Sequence, residues 1–245
     1  MYGPTYRSGM GAFIIKSVVE KRRHKGYWLR VLGRVGIVCV LLGSVALAEF
    51  TGFTSEFLQF IRHEYGRRAQ HTMEKWEDLV KEDRTIPERK KLEDVNLFFN
   101  KHIWFVDDLR HWGKRDYWAT PMETMATLGG DCEDFTIAKY FTLREVGVPD
   151  EHLRLTYVRA IRLNQPHMVL AYYASKSSEP LILDNLTDRI EPASKRTDLV
   201  PVYSFNGQSL WRAKEFGEGR QVGSANNVNL WTSVIQRMRK EKFPY

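Results

Sequence analysis

Cysteine is scarce in this chain: two residues in 245, Cys39 and Cys132. Cys39 falls inside an apolar N-terminal run, so the body of the chain holds a single thiol and an internal disulfide framework is excluded. Long hydrophobic runs are also missing. The most apolar stretch, residues 35–47, stops short of the roughly 20 residues a membrane-spanning helix needs. Repeats and low-complexity segments are absent. The net charge of +7 points towards nucleic acid until its location is read. Of 37 basic and 30 acidic residues, eight bases (Arg7, Lys16, Lys21, Arg22, Arg23, Lys25, Arg30 and Arg34) and one acid, Glu20, lie within residues 1–48. The remainder carries as many acids as bases. A body without net charge lacks the basic footprint of phosphate-backbone binding, so no nucleic-acid partner is expected.

The basic N-terminus has another reading. Lys21-Arg22-Arg23-His24-Lys25 precedes the apolar run, and Ala46-Leu47-Ala48 forms a small-x-small site before Glu49. This is the layout of a secretory signal peptide over residues 1–48, with an uncleaved anchor as the alternative, and it predicts export. Cys39 lacks the small residue just before it that a lipoprotein signal requires, and is expected to leave with the signal. The mature domain is then residues 49–245.

What remains reads as helices first and strands later. Thr54 or Ser55 can cap a helix through Phe57, Phe60 and Ile61. A second helix is expected over residues 69–81, with Met73, Trp76, Leu79 and Val80 on one face. Thr85 followed by Pro87 is read as the start of a third, striped with Val95, Phe98 and Phe99. A loop rich in Trp, Gly and Pro follows over residues 107–130. Residues 132–146 read as a buried helix ending at Gly147 and Pro149. Short apolar or alternating runs at 153–157, 168–173, 181–183 and 200–205 read as strands, Asn206-Gly207 as a turn, and residues 229–240 as a terminal helix. This order gives an α+β domain, a mainly helical lobe over 49–130 and a sheet-bearing lobe over 131–245, and excludes alternating βαβ units.

The lone thiol of the body sits in Gly129-Gly130-Asp131-Cys132-Glu133-Asp134. Two glycines allow a sharp entry into a helix, Asp131 can cap it, and Cys132 then occupies the first turn, where unpaired amides and the helix dipole favour an anion. A nucleophilic thiol also needs a base and an orienting group. His167 opens the strand that runs to Leu170, and Asp184 closes the strand that begins at Leu181. If those strands are antiparallel neighbours, the start of one lies beside the end of the other. Cys132, His167 and Asp184 would then be nucleophile, base and orienter. Taken singly, His167 is as well read as a structural histidine, and Asp184 as a turn residue.

The acids beside the thiol work against it. A carboxylate ~5 Å from a thiolate, at an effective dielectric of about 20, opposes ionisation by roughly 3 kcal/mol, about 2 pKa units. A bound hard cation reverses that sign, and Asp131, Glu133 and Asp134 supply the oxygen ligands Ca2+ prefers, without the spacing of an EF-hand. The alternative is that the acids only complement the helix dipole.

Seven segments in order, residues 117–121, 129–134, 138–141, 153–158, 167–172, 183–186 and 201–207, resemble the bacterial transglutaminase-like cysteine proteinases. The match runs from about Val95 to Trp211. The resemblance implies a papain-like/transglutaminase-like fold with the nucleophile at a helix N-terminus and the triad Cys132, His167 and Asp184. It also implies calcium dependence, with Asp131 and Glu133 as principal ligands and Asp134 as a weaker one. Within that family it implies a periplasmic protease that clips the N-terminal retention module of a large surface adhesin near an Ala-Ala pair, releasing it and dispersing biofilm. It further implies an inhibitory partner, the periplasmic domain of an inner-membrane cyclic-di-GMP receptor, with no direct binding of the dinucleotide by this chain. Two other classes remain open. One is a transglutaminase or amidase using the same triad on a glutamine or cell-wall amide. The other is a non-catalytic, calcium-binding periplasmic module.

Overall fold

A computed structural model describes residues 52–212 and 219–241. The signal-peptide reading of residues 1–48 lies outside the described residues. Three helices come first: α1 (Ser55–Tyr65), α2 (Arg67–Asp83) and α3 (Glu88–His102). Thr54 caps α1 by accepting the Phe57 N–H at 3.2 Å. Gly66, at φ 92°, turns the chain directly from α1 into α2, a backbone state that glycine adopts without strain. The third helix starts later than Thr85. Pro87 is extended and precedes the first helical residue, Glu88, so residues 84–87 form the connecting turn.

The stretch expected to be a plain loop holds more order. It contains a two-residue strand β1 (Trp104–Phe105), then α4 (Asp108–Trp112), α5 (Pro121–Thr127) and a second short strand β2 (Gly129–Gly130) that pairs in parallel with β1. Asp107 caps α4. Thr120 and Glu123 form a reciprocal capping box on α5, with Pro121 at its first position.

The central helix α6 (Cys132–Glu145) is buried on every side from Asp134 to Leu143, as a helix between two layers must be. Its polar residues are satisfied internally. Trp76 Nε1 donates to Thr142 at 2.8 Å, and Lys139 Nζ donates to Asn96 and Asn100 of α3 at 2.7 and 2.8 Å. On the other side lies a seven-stranded antiparallel sheet: β3 (Leu153–Ala160), β4 (Gln165–Tyr172), β5 (Leu181–Leu183), β6 (Glu191–Pro192), β7 (Leu199–Phe205), β8 (Ser209–Arg212) and β9 (Arg220–Ser224), in the order β6-β5-β4-β3-β7-β8-β9. A last helix, α7 (Asn229–Glu241), lays Trp231 flat on Phe141 of α6, centroids 5.4 Å apart, and edge-on to Phe205 of β7.

Two prolines show how the sheet is trimmed. Pro166 pairs with Arg159 of β3, while β5 reaches only Leu170–Tyr172 of β4, so the missing N–H of Pro166 falls where β4 has one neighbour. Pro201 likewise lies where β7 is paired with β3 but not yet with β8, next to a register shift that leaves Val202 exposed. The short β5 matters most, because it leaves the flank of β4 beside His167 without a strand.

Candidate active site

Cys132 is the first residue of α6. Leu128, held in the left-handed region at φ 56°, and the β2 glycines steer the chain into it. Gly130 admits no side chain: a Cβ there would lie 2.6 Å from Cβ of Asp134. Asp131 is the N-cap, its carboxylate accepting the Glu133 N–H at 3.2 Å, and Asp134 accepts the Asp131 N–H at 3.3 Å. The Cys132 amide, at the first helical position, has no intrahelical acceptor and is free to serve an oxyanion.

His167 and Asp184 meet. His167 is the third residue of β4, paired with Val158, and Asp184 follows the last residue of β5. His167 Nε2 and Asp184 Oδ1 are 2.8 Å apart, both side chains buried. Asp184 Oδ1 also accepts the Leu186 N–H at 3.0 Å, and Oδ2 accepts Nη2 of Arg196 at 2.7 Å. Burial alone would raise this carboxyl; the hydrogen bond and charge of His167, with Leu186 and Arg196, outweigh it and hold the pKa down at about 2. The bond to Asp184 leaves Nδ1 of His167 as the nitrogen able to exchange a proton, with no hydrogen-bond partner among the described residues.

One contact fastens α6 to this strand. Thr136 Oγ1 donates to the Cys132 carbonyl at 2.8 Å and approaches the Met168 carbonyl at 3.1 Å. An imidazole whose far nitrogen is tied to a buried carboxylate, on the strand to which the first turn of α6 is fastened, is the support that nucleophilic acyl transfer by a thiol requires.

The acids around the thiol are more numerous than the motif suggests. Asp131 and Glu133 place ligand atoms within 4.8 Å of each other and of Sγ, and Asp131 and Asp134 do the same with Asp108 of α4. Asp108 was not among the residues expected from sequence. The β1–β2 pairing carries α4 to the start of α6, and only the acidic Asp107-Asp108 pair hinted at it. One Asp108 oxygen accepts the Tyr117 N–H, whereas Oδ1 is buried with no partner among the described residues. Asp134 accepts backbone N–H groups on both oxygens, Ala119 at 2.6 Å and Asp131 at 3.3 Å.

The electrostatic cost of this cluster is plain. Burial first, then the neighbouring acids, raises Asp131 well above the usual carboxylate range and Asp134 to about 8. The Cys132 thiol is pushed up by burial, then by Glu133 and Asp131, and its S–H donates to Glu133 Oε2 at 2.7 Å. Clustered carboxyls and an orphaned buried oxygen fit a hard divalent cation, which would replace their mutual repulsion with attraction. Trp118 is buried and stacked on Phe205 at 5.8 Å, so it belongs to the core.

Residues 52–211 match the family described as bacterial transglutaminase-like cysteine proteinase, BTLCP. Among solved structures, LapG of Legionella pneumophila is similar at 41% identity over 76% of this chain and 98% of that one, with a TM-score of 0.65. An EGTA-treated form gives 0.66 at the same identity and coverage. A calcium-bound form gives 0.64 at 41% identity, covering 76% of this chain and 99% of that one. Among curated proteins, none matches.

Proposed function

The chain belongs to the bacterial transglutaminase-like cysteine proteinases, and from that premise we propose that it is a calcium-dependent periplasmic endopeptidase that cleaves the N-terminal retention module of a large surface adhesin. The observation that carries the reading is the buried His167–Asp184 hydrogen bond on the strand to which Thr136, one turn after Cys132, is bonded. In this reading Nδ1 of His167 takes the thiol proton, and Cys132 attacks the scissile carbonyl. The Cys132 amide receives the oxyanion. His167 returns its proton to the leaving amine, and water, deprotonated by the same imidazole, clears the thioester. Asp184 holds the ring and stabilises the imidazolium throughout.

Asp108, Asp131, Glu133 and Asp134 are the residues that would hold calcium. The ion would supply positive charge to offset these acids. With Glu133 engaged as a ligand, the thiol of Cys132 would lose the carboxylate that accepts its hydrogen bond. A calcium-bound form of the similar Legionella pneumophila LapG supports calcium as the ion. Release of the adhesin would disperse biofilm, and the periplasmic domain of an inner-membrane cyclic-di-GMP receptor would act as the inhibitory partner by covering the site.

The test is incubation of residues 49–245 with an adhesin N-terminal fragment, with calcium and with a chelator, using Cys132→Ala as control. Calcium-dependent cleavage that needs Cys132 is expected. Cleavage by Cys132→Ala would overturn the mechanism, and chelator-insensitive cleavage the calcium requirement. Cross-linked product or released ammonia in place of peptide fragments would favour a transglutaminase or amidase.

A further inference from the structure

We propose that Arg196 is a positioning residue for this chemistry: its guanidinium fixes the rotation of the Asp184 carboxylate and, through it, the ring of His167. The inference rests on the Cys132–His167–Asp184 reading above.

Arg196 follows a 3-10 turn, Ala193–Lys195, at the approach to β7. Its N–H donates to Ala193 O at 2.9 Å and its carbonyl accepts the Leu199 N–H at 3.0 Å, so its backbone is held on both sides. The side chain is buried against Asp184, whose own side chain is fully enclosed. Oδ1 of Asp184 has two donors, His167 Nε2 and the Leu186 amide, whereas Oδ2 has one among the described residues, Nη2 of Arg196 at 2.7 Å. A carboxylate with donors on one oxygen only is free to rock about its Cβ–Cγ bond. A donor on the second oxygen removes that freedom and keeps Oδ1 on the imidazole.

The guanidinium is itself anchored. Nε and Nη2 bind the two oxygens of Asp198 at 3.1 and 3.0 Å in the fork geometry arginine favours. Asp198 also settles the charge. One guanidinium between two carboxylates leaves one net negative charge beside His167, the complement of the single imidazolium that forms when the thiol proton is taken. Paired with Asp184 alone, Arg196 would cancel the charge the imidazolium needs. Nη1 of Arg196 is buried without a partner among the described residues, so the two carboxylates, rather than full hydrogen-bond satisfaction, dictate how the group lies. The backbone of Asp184 is steadied separately, by Asn100 Nδ2 on its carbonyl at 2.9 Å.

The test compares Arg196→Met, Arg196→Lys and Asp184→Asn in the calcium-loaded protein. It reads kcat and KM on the adhesin fragment, the folded fraction by thermal melting, and the NMR signal of the His167 Nε2 proton, which lies far downfield when bonded to a carboxylate. Arg196→Met is expected to lose about 10- to 100-fold in kcat, the scale for an outer group that orients a reacting one. That is below the ~10⁴-fold expected for Asp184→Asn. KM should stay within about twofold and the His167 signal should shift or broaden. Arg196→Lys keeps the charge but not the fork, and should fall between wild type and Arg196→Met. Wild-type kcat in folded Arg196→Met overturns the inference. So does a loss that only follows the unfolded fraction, with the His167 signal unchanged in what remains folded. If Arg196→Met does not fold, Arg196→Lys decides by the same criteria. Wild-type kcat in Asp184→Asn would instead remove the triad reading itself.

Discussion

Glu133 accepts the S–H of its chain neighbour Cys132 across 2.7 Å, so the candidate nucleophile and a candidate calcium ligand share one hydrogen bond. Two effects of one carboxylate can therefore be separated. Glu133→Gln keeps the shape and removes the charge. In chelator, its Cys132 should react with a small alkylating reagent faster than wild type, roughly tenfold if one pKa unit is relieved. In calcium, it should cleave the adhesin fragment more slowly than wild type. The check is the pair of rates, alkylation and proteolysis, moving in opposite directions.

Asp108 should matter to the metal and not to the fold. Its Oδ1 is buried with no partner among the described residues, so Asp108→Asn removes a charge from the cluster while keeping an oxygen towards the Tyr117 amide. Calcium affinity measured by calorimetry is expected to weaken by about tenfold, the low end for loss of one group from a metal shell. The melting temperature in chelator should hold or rise, because the metal-free protein loses a repelling carboxylate.

Gly130→Ala should be poorly tolerated. The added Cβ would lie 2.6 Å from Asp134 Cβ and 2.6 Å from its Oδ2, inside a buried cap with nowhere to move. A loss of about 1–3 kcal/mol in unfolding free energy is expected, the usual range for overpacking, together with slower alkylation of Cys132 as the start of α6 is displaced. Chemical denaturation and the alkylation rate check the two effects.

Lys139 sets a pH dependence of stability. Burial lowers its pKa to about 7, with Asp184 and Asp188 partly opposing the shift. The unfolded chain holds this proton up to its ordinary value near 10.4, so between about pH 7 and pH 10 the unfolded state binds more protons and stability rises with pH. Lys139→Met should flatten that rise in denaturation curves. Asp184 acts at the other end. Its folded pKa of about 2 lies below the unfolded value, so its contribution is present above about pH 4 and is lost as pH falls through about 2. Asp184→Asn should flatten the acid limb.

Much of the architecture was legible because it rests on hydrophobic pattern. The apolar face of α2, the largely apolar run of α6, the alternation at the start of β3 and the apolar run of β4 each span enough residues to declare their type. The antiparallel placement of His167 near Asp184 followed from where those residues sit in their strands. What escaped is short or cooperative. Helices of five and seven residues, α4 and α5, are fixed by capping at Asp107 and Thr120 rather than by an amphipathic face. Strands β1 and β2, two residues each, carry no pattern, and with them went the position of Asp108. Arg196 announces itself by no motif, since its two partners come from different connections. Thr85 and Pro87 together read as a helix start, but Pro87 is extended and the helix begins behind it, at Glu88.

The burial of α6 on every side limits how this site can be controlled. A nucleophile carried on a mobile loop can be silenced by letting the loop melt. Cys132 opens the helix that the rest of the domain packs around, so its own support cannot fray without the domain coming apart. Loss of activity on heating should therefore coincide with global unfolding. Reversible control is left to the movable groups at the helix mouth: the carboxylates in front of the sulfur, and whatever binds over them.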